Sequence, residues 1–307
     1  MMQRRLLSTG YVSAELELPG DVLEATWAGS VSDSLPGGWT LEGLPGSGSG
    51  LPEIIARIDD HDHALVTLES ASVDRYHIRL PGQDLRSVRI AYLTYTVLER
   101  QRQLSGMATI HASGARSPQG EGILILGDKG SGKTSTMLAL GDRGYALAGD
   151  DIVVLRRRLH GLELLPGTRS SAVRGPPRHG ALYYETKRRV ALSETYPVLH
   201  SPVALAKVFR VNVNVAARET KLQRVVSLSF AERLRLHENI GRYISGLPTP
   251  LVVDADGCYG RVLEIDCATC AATRRDLMKA LGATPFYYLQ TRCAVEAAAA
   301  IASEMER

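Results

Sequence analysis

The sequence predicts an α/β fold with a small, mostly β N-terminal region, and two observations carry that expectation. Strand-like apolar runs and helix-like runs alternate on either side of a glycine-rich loop at 127–134. The chain also changes character near residue 85. Before it, YVSAELEL, ALVTLES and RYHIRL alternate apolar and polar residues as half-buried strands do, around a Gly-, Ser- and Pro-rich connection at 29–50. The expected organisation is a β-rich region over 1–84, which carries no motif that assigns it a role, and an α/β domain over 85–307.

Composition narrows the class of molecule. With 307 residues, 44% of them apolar, the chain can bury one large core or two smaller ones. Its apolar stretches fall far short of the about 20 residues needed to cross a bilayer. The segment MMQRRLLSTGYVSAELEL has positive charge without a sustained apolar stretch, so the expected location is cytoplasmic, with no membrane partner. A net charge of +3, with basic residues scattered rather than massed, argues against a nucleic-acid partner. A homo-oligomer is compatible with all of this. Of the 36 basic residues only six are lysines, and two of these, Lys129 and Lys133, fall in the glycine loop.

From DLRSVRIAYLTYTVLERQRQL, 84–104, apolar residues recur at three- and four-residue spacing, as on an amphipathic helix. MATIHASGAR reads as a strand and GILIL, 122–126, as a buried strand. KTSTMLALGDRG reads as a helix closed at Gly144, and YALAGDDIVVLRR as strand, carboxylate pair, strand. Further on, Ser229 and Glu232 occupy the N-cap and N3 positions of an amphipathic helix, and two more helical runs follow 270.

Gly127, Gly132, Lys133 and Thr134 fit G-x-x-x-x-G-K-[ST] at every fixed position, directly behind a buried strand and opening a helix. Glycines let backbone N–H groups turn inward around phosphates, and the helix directs its positive end at the same anion. The loop Gly127, Asp128, Lys129, Gly130, Ser131, Gly132, Lys133, Thr134 and Ser135 is therefore the expected nucleotide cradle. Lys133 would reach the β- and γ-phosphates, and Thr134 would offer its hydroxyl to Mg²⁺.

Asp150 and Asp151 follow Lys133 by 17 and 18 residues, at the end of the next expected strand. In an open α/β sheet such ends gather on the ligand side. Adjacent carboxylates there can divide two tasks, one holding Mg²⁺ and the other accepting a proton from an attacking hydroxyl. His111, on a neighbouring expected strand, is a third candidate.

Residues 110–155, IHASGARSPQGEGILILGDKGSGKTSTMLALGDRGYALAGDDIVVL, resemble the catalytic domain of bacterial HPr kinase/phosphorylase and of the wider HPr-kinase-like group. The resemblance lies in a histidine before the P-loop strand, the GDxGxGK[ST] loop and the DRGYALAGDDIVVL run, and it extends loosely over the C-terminal part of the chain. It implies a P-loop kinase domain of the HPr kinase/PEP carboxykinase-like type, using ATP and Mg²⁺. It further implies that Asp150 is the general base, that Asp151 assists Thr134 on the metal side, and that His111 lies near the transferred phosphate with Lys133.

One departure bears on activity. The family's acidic Glu-x-Arg-Gly segment is best matched by AVRG, which keeps Arg174 and Gly175 but puts Ala172 at the acidic position. That argues against a bifunctional enzyme acting on HPr. Arg174 and Arg178, in a basic stretch, are candidate substrate contacts, and a solvated surface loop is the other reading.

Three functions fit these features. The first is an ATP-dependent kinase acting on a hydroxyl, Ser or Thr of a peptide or protein. The second is a kinase of a small hydroxylated metabolite. The third is a regulatory protein that only binds ATP. The carboxylate pair favours the first two.

All four cysteines lie late, at 258, 267, 270 and 293. Cys267 and Cys270 have CxxC spacing, which serves redox chemistry or half a zinc site, but no second such pair accompanies them. The simplest reading is reduced, partly buried thiols at a strand-to-helix junction.

Overall fold

The computed structural model describes residues 1–9, 11–21, 40–43, 51–59, 67–72, 75–81, 88–174, 187–244 and 265–307. The fold is mixed α/β, with five α-helices and three sheets among the described residues. The chain divides into two compact units, Met1–Ser105 with Gly241–Ala272, and Gly106–Ile240 with Thr273–Arg307. The boundary expected at 84/85 lies outside the described residues.

In the first unit, β1 (Met2–Ser8), β2 (Ser13–Pro19), β3 (Thr40–Gly43), β4 (Glu53–Asp59), β5 (Thr67–Ser72) and β6 (Arg75–Pro81) form one sheet in the order β3-β1-β2-β4-β6-β5. Strand alternation puts Ala14, Leu16 and Leu18 of β2 in the core with Leu7 and Ile54.

Helix α1 (Val88–Leu104) belongs to this unit, not to the α/β domain in which the sequence placed it. It is not amphipathic over its central turns either, because every residue from 93 to 99 is buried. Glu99, Arg102 and Gln103 are tolerated inside because they bond to one another, although Thr94 Oγ1 and Arg102 Nε stay unpartnered among the described residues. Gln103 donates to Glu99 at 2.9 Å, Arg102 pairs with Glu99 at 3.4 Å, and Arg102 also donates to Thr9 Oγ1 at 2.7 Å. The Arg102 guanidinium lies 4.7 Å from the centre of the Tyr95 ring.

The second unit is built on β7 (Met107–Ile110), β8 (Ser113–Arg116), β9 (Gly122–Leu126), β10 (Ala146–Gly149), β11 (Val153–Arg158) and β12 (Gly161–Leu165). After the short ribbon β13 (Ser170–Arg174) and β14 (Lys187–Ala191) come β15 (Val203–Val213), β16 (Lys221–Val225) and β17 (Phe286–Thr291). The large sheet runs β10-β8-β9-β15-β12-β11-β7, with β17 between β15 and β16. Strands β9, β15 and β17 are parallel neighbours.

Both faces of β9 are covered, as a continuous apolar run requires. Ile123 and Ile125 pack with Met137 and Leu140 of α2 (Lys133–Gly141) and Ile301 of α5 (Ala294–Met305). Leu124 and Leu126 face the other way, with Leu236 of α3 (Phe230–Gly241) and Leu277 and Leu281 of α4 (Ala268–Ala283).

One local reading needs revision and another holds. MATIHASGAR is two strands, because β7 pairs with β11 whereas β8 pairs with β9 and β10, and the chain changes neighbours at His111 and Ala112. Ser229 does cap α3, accepting the Glu232 N–H at 3.1 Å. The Glu232 side chain does not return to the cap; it is committed to Arg210.

Candidate functional site

The glycine loop leaves the C-terminal end of β9 and enters α2 through Gly132, which has φ 90 and caps the helix without a side-chain bond. A Cβ on Gly132 would lie 2.5 Å from Val213 Cγ2 in a left-handed backbone, so glycine is required there on both counts. The Val213 N–H donates to Ser131 O at 2.9 Å, pinning the loop to the end of β15. Among the described residues, the Ser131 hydroxyl is buried without a hydrogen-bond partner.

Lys133 is only 6% exposed. Its ammonium donates to the carbonyls of Gly127 at 2.7 Å and Asp128 at 3.3 Å. Burial pushes its pKa down, while Asp151, Asp150 and Asp128 oppose the shift.

Asp150 is 2% exposed, at the end of β10. Its Oδ1 accepts from Ser113 at 2.8 Å and Thr134 at 2.9 Å, and its Oδ2 from Ser171 at 2.6 Å and Thr134 at 3.0 Å. Burial, and then the neighbouring charge of Asp151, raise its carboxyl pKa against these hydroxyl bonds. Asp151 is exposed, and it is the one non-glycine among the described residues with positive φ, at 61. The Ile152 N–H reaches back to Asp150 O at 2.7 Å, so Asp151 is the centre of a three-residue turn of the strained γ kind.

The fold supports that turn by backbone contact. A Cβ on Gly167 would fall 2.0 Å from Ile152 O, and one on Gly149 would fall 2.7 Å from Thr168 N. Thr168 N–H and Gly167 N–H donate to Ile152 O and Ala148 O at 2.9 and 2.7 Å.

His111 follows β7, one residue beyond the Ile110–Val153 pair. The loop and Asp150 are brought together by the Thr134 contact, beyond the ends of β9 and β10. Arg174 ends β13, in register with Lys187, while Arg178 and Gly175 lie outside the described residues.

Sequence reasoning missed the supporting residues. Ser113 and Ser171 are separated from Asp150 by 37 and 21 positions, and no local spacing signals such a contact. It also missed Arg210, which lies in register with Leu126, the last residue before the loop. Arg210 Nε donates to the fully buried Glu232 at 2.7 Å, with a second bond from Nη2, and its Nη1 is 3.8 Å from Asp128 Oδ1. The Tyr288 hydroxyl donates to the same Glu232 at 3.3 Å. A cleft of about 590 Å³ opens here, lined among others by Asp128, Lys129, Arg210, Lys221, Arg235 and Tyr288.

No protein-family model matches the chain, and no curated protein does. Among solved structures, it is similar to the HPr(Ser) kinase/phosphatase from Coxiella burnetii, at 18% identity and a TM-score of 0.26, over 38% of this chain and 77% of that one. A likeness of that extent decides neither the fold nor the activity.

The residues present fit a magnesium-bound polyphosphate. The loop carries a buried ammonium, the orphaned Ser131 hydroxyl and a helix N-terminus within seven residues. No group of three or more His, Cys, Asp or Glu positioned for a metal exists among the described residues. Magnesium is commonly held by one or two carboxylates together with substrate phosphates, so Asp150 with the Thr134 hydroxyl it bonds suits it.

Proposed function

We propose that this chain is an ATP-dependent phosphotransferase that moves the γ-phosphate to a hydroxyl, Ser or Thr of a peptide or protein. The observation that carries the reading is the pairing of a phosphate loop with two adjacent carboxylates in unlike settings. Asp150 is buried and bonded to Thr134; Asp151 is exposed on a strained turn. A protein that only binds nucleotide has no need of the second carboxylate.

The settings favour exchanging the two roles that the family resemblance implies. Asp150 holds the Thr134 proton, which aims the hydroxyl lone pairs outward for a cation, and its own oxygens are already occupied by three hydroxyls. An acceptor hydroxyl has no open approach to it. Asp151 is open to solvent and takes the acceptor proton.

Lys133 supplies charge to the phosphates, and His111, just beyond β7, is the further candidate beside the transferred phosphate. Mg²⁺, when bound, neutralises phosphate charge and orients the transfer. Arg174 and Arg178 remain candidate acceptor contacts.

The cleft beside the loop favours a second reading, in which the acceptor is a small hydroxylated metabolite, because its volume suits one. Incubation with γ-labelled ATP, Mg²⁺ and cell extract, separated into protein and small-molecule fractions, tests both. Label on a protein hydroxyl supports the first reading and label on a metabolite the second. Label found only as free phosphate contradicts both.

A further inference from the structure

Cys267 and Cys270 lie outside the nucleotide site, in the first unit. Residues 265–267 have no regular structure, and the helix α4 begins at Ala268, so the pair occupies the start of a 16-residue helix. The Cys267 carbonyl accepts the Ala271 N–H at 2.9 Å, and its own N–H is held by Asp266 Oδ1 at 2.8 Å, which fixes it as the entry residue of the helix. One turn brings the two sulfurs to 3.4 Å. Cys267 is half-buried, whereas Cys270 is fully buried with its sulfur 3.8 Å from the Arg100 carbonyl.

We propose that Cys267 and Cys270 form a redox-active dithiol that exchanges with a low-molecular-weight disulfide and closes to an intramolecular disulfide. The two thiols are unlike in the way the chemistry needs. The backbone N–H of Cys270, with that of Thr269 and the charge of Arg100, holds the Cys267 thiol below its usual range. Burial, and then Cys267 beside it, push the Cys270 thiol up to about 12.

Cys267 is therefore the attacking sulfur. Its thiolate displaces one thiolate from the external disulfide, breaking that S–S bond and forming a mixed disulfide. Cys270 gives its proton to the released thiolate and attacks the Cys267 sulfur. The second external thiolate leaves and takes up the proton that Cys267 gave to solvent. In sum, protein dithiol and external disulfide become protein disulfide and two external thiols.

Titration of the full-length chain with oxidised glutathione tests the proposal by intact mass and peptide mapping. The wild type should lose two hydrogens, with the bond mapped to positions 267 and 270. Cys270→Ser should instead accumulate one glutathione on Cys267, because the resolving sulfur is gone. Cys267→Ser should leave Cys270 unmodified. Cys267 should also alkylate about tenfold or more faster than Cys293 at neutral pH. Three outcomes overturn the proposal: a wild type that stays a dithiol in excess probe, Cys293 or Cys258 reacting first, or one zinc per chain in the purified protein. The wild-type arm needs no variant to fold.

Discussion

Thr134 and Asp150 face one another across the phosphate loop, the threonine hydroxyl 2.9 and 3.0 Å from the two carboxylate oxygens. The first turn of α2 and the first residue of the γ turn after β10 are thereby tied into one unit. Under the proposed function, nucleotide binding and the placement of Asp151 are coupled through that contact.

Lys133→Ala removes the buried ammonium that spans the Gly127 and Asp128 carbonyls. Phosphoryl transfer at saturating ATP should fall roughly 10²–10³-fold, the usual loss when a charge-stabilising donor is deleted. Circular dichroism should show the fold unchanged. Wild-type turnover in this variant would remove the loop from the site.

Asp150 carries a pH-dependent cost. Its folded pKa is raised by burial and by Asp151, so the folded chain keeps a proton that the unfolded chain has lost. Stability from this group is then lost as pH rises from the ordinary carboxylate value, about 3.9, toward the raised folded value. Asp150→Asn removes that titration. The melting-temperature advantage of the nucleotide-free variant over wild type should grow as pH rises above about 4. A constant or shrinking difference would show that Asp150 is not held at a raised pKa.

Gly167→Ala puts a methyl group 2.0 Å from the Ile152 carbonyl, against backbone that cannot turn away as a side chain would. The variant should lose about 3 kcal/mol in urea denaturation, at the upper end for overpacking. Gly43→Ala meets nothing within 4 Å and should stay near wild type.

Arg210→Ala strands the carboxylate of Glu232, which is 0% exposed. Removing one partner of a buried ion pair costs about 3–5 kcal/mol, whereas an apolar replacement of both is far milder. The double variant Arg210→Met with Glu232→Met should therefore be more stable than Arg210→Ala. A double variant as unstable as the single one would mean that packing around Tyr288, rather than charge, sets the loss.

Legibility in the sequence followed range. The loop at 127–134 and the aspartates at 150–151 stand out in the sequence because their spacings are short and fixed, and the fold joins loop and Asp150 through Thr134. Ser113 and Ser171 do not stand out, since only the tertiary fold brings β8 and β13 to Asp150. The periodicity of α1 was read correctly as a helix but not as a buried one, because Glu99, Arg102 and Gln103 look solvent-facing until their mutual bonds are seen. The proposed division of labour between Asp150 and Asp151 rests on burial and a positive φ, and neither is written in the dipeptide. A turn can give two identical neighbours opposite environments.

The most direct measurement compares Asp151→Asn and Asp150→Asn in one assay, with γ-labelled ATP and the acceptor fraction identified from extract. Asp151→Asn should keep ATP and Mg²⁺ affinity near wild type while transfer falls roughly 10²-fold or more, the loss expected of a proton acceptor. Asp150→Asn should instead raise the Mg²⁺ concentration needed for half-maximal transfer, because Thr134 loses the partner that aims it. The account is contradicted if no acceptor gains label and Asp151→Asn leaves slow ATP hydrolysis untouched.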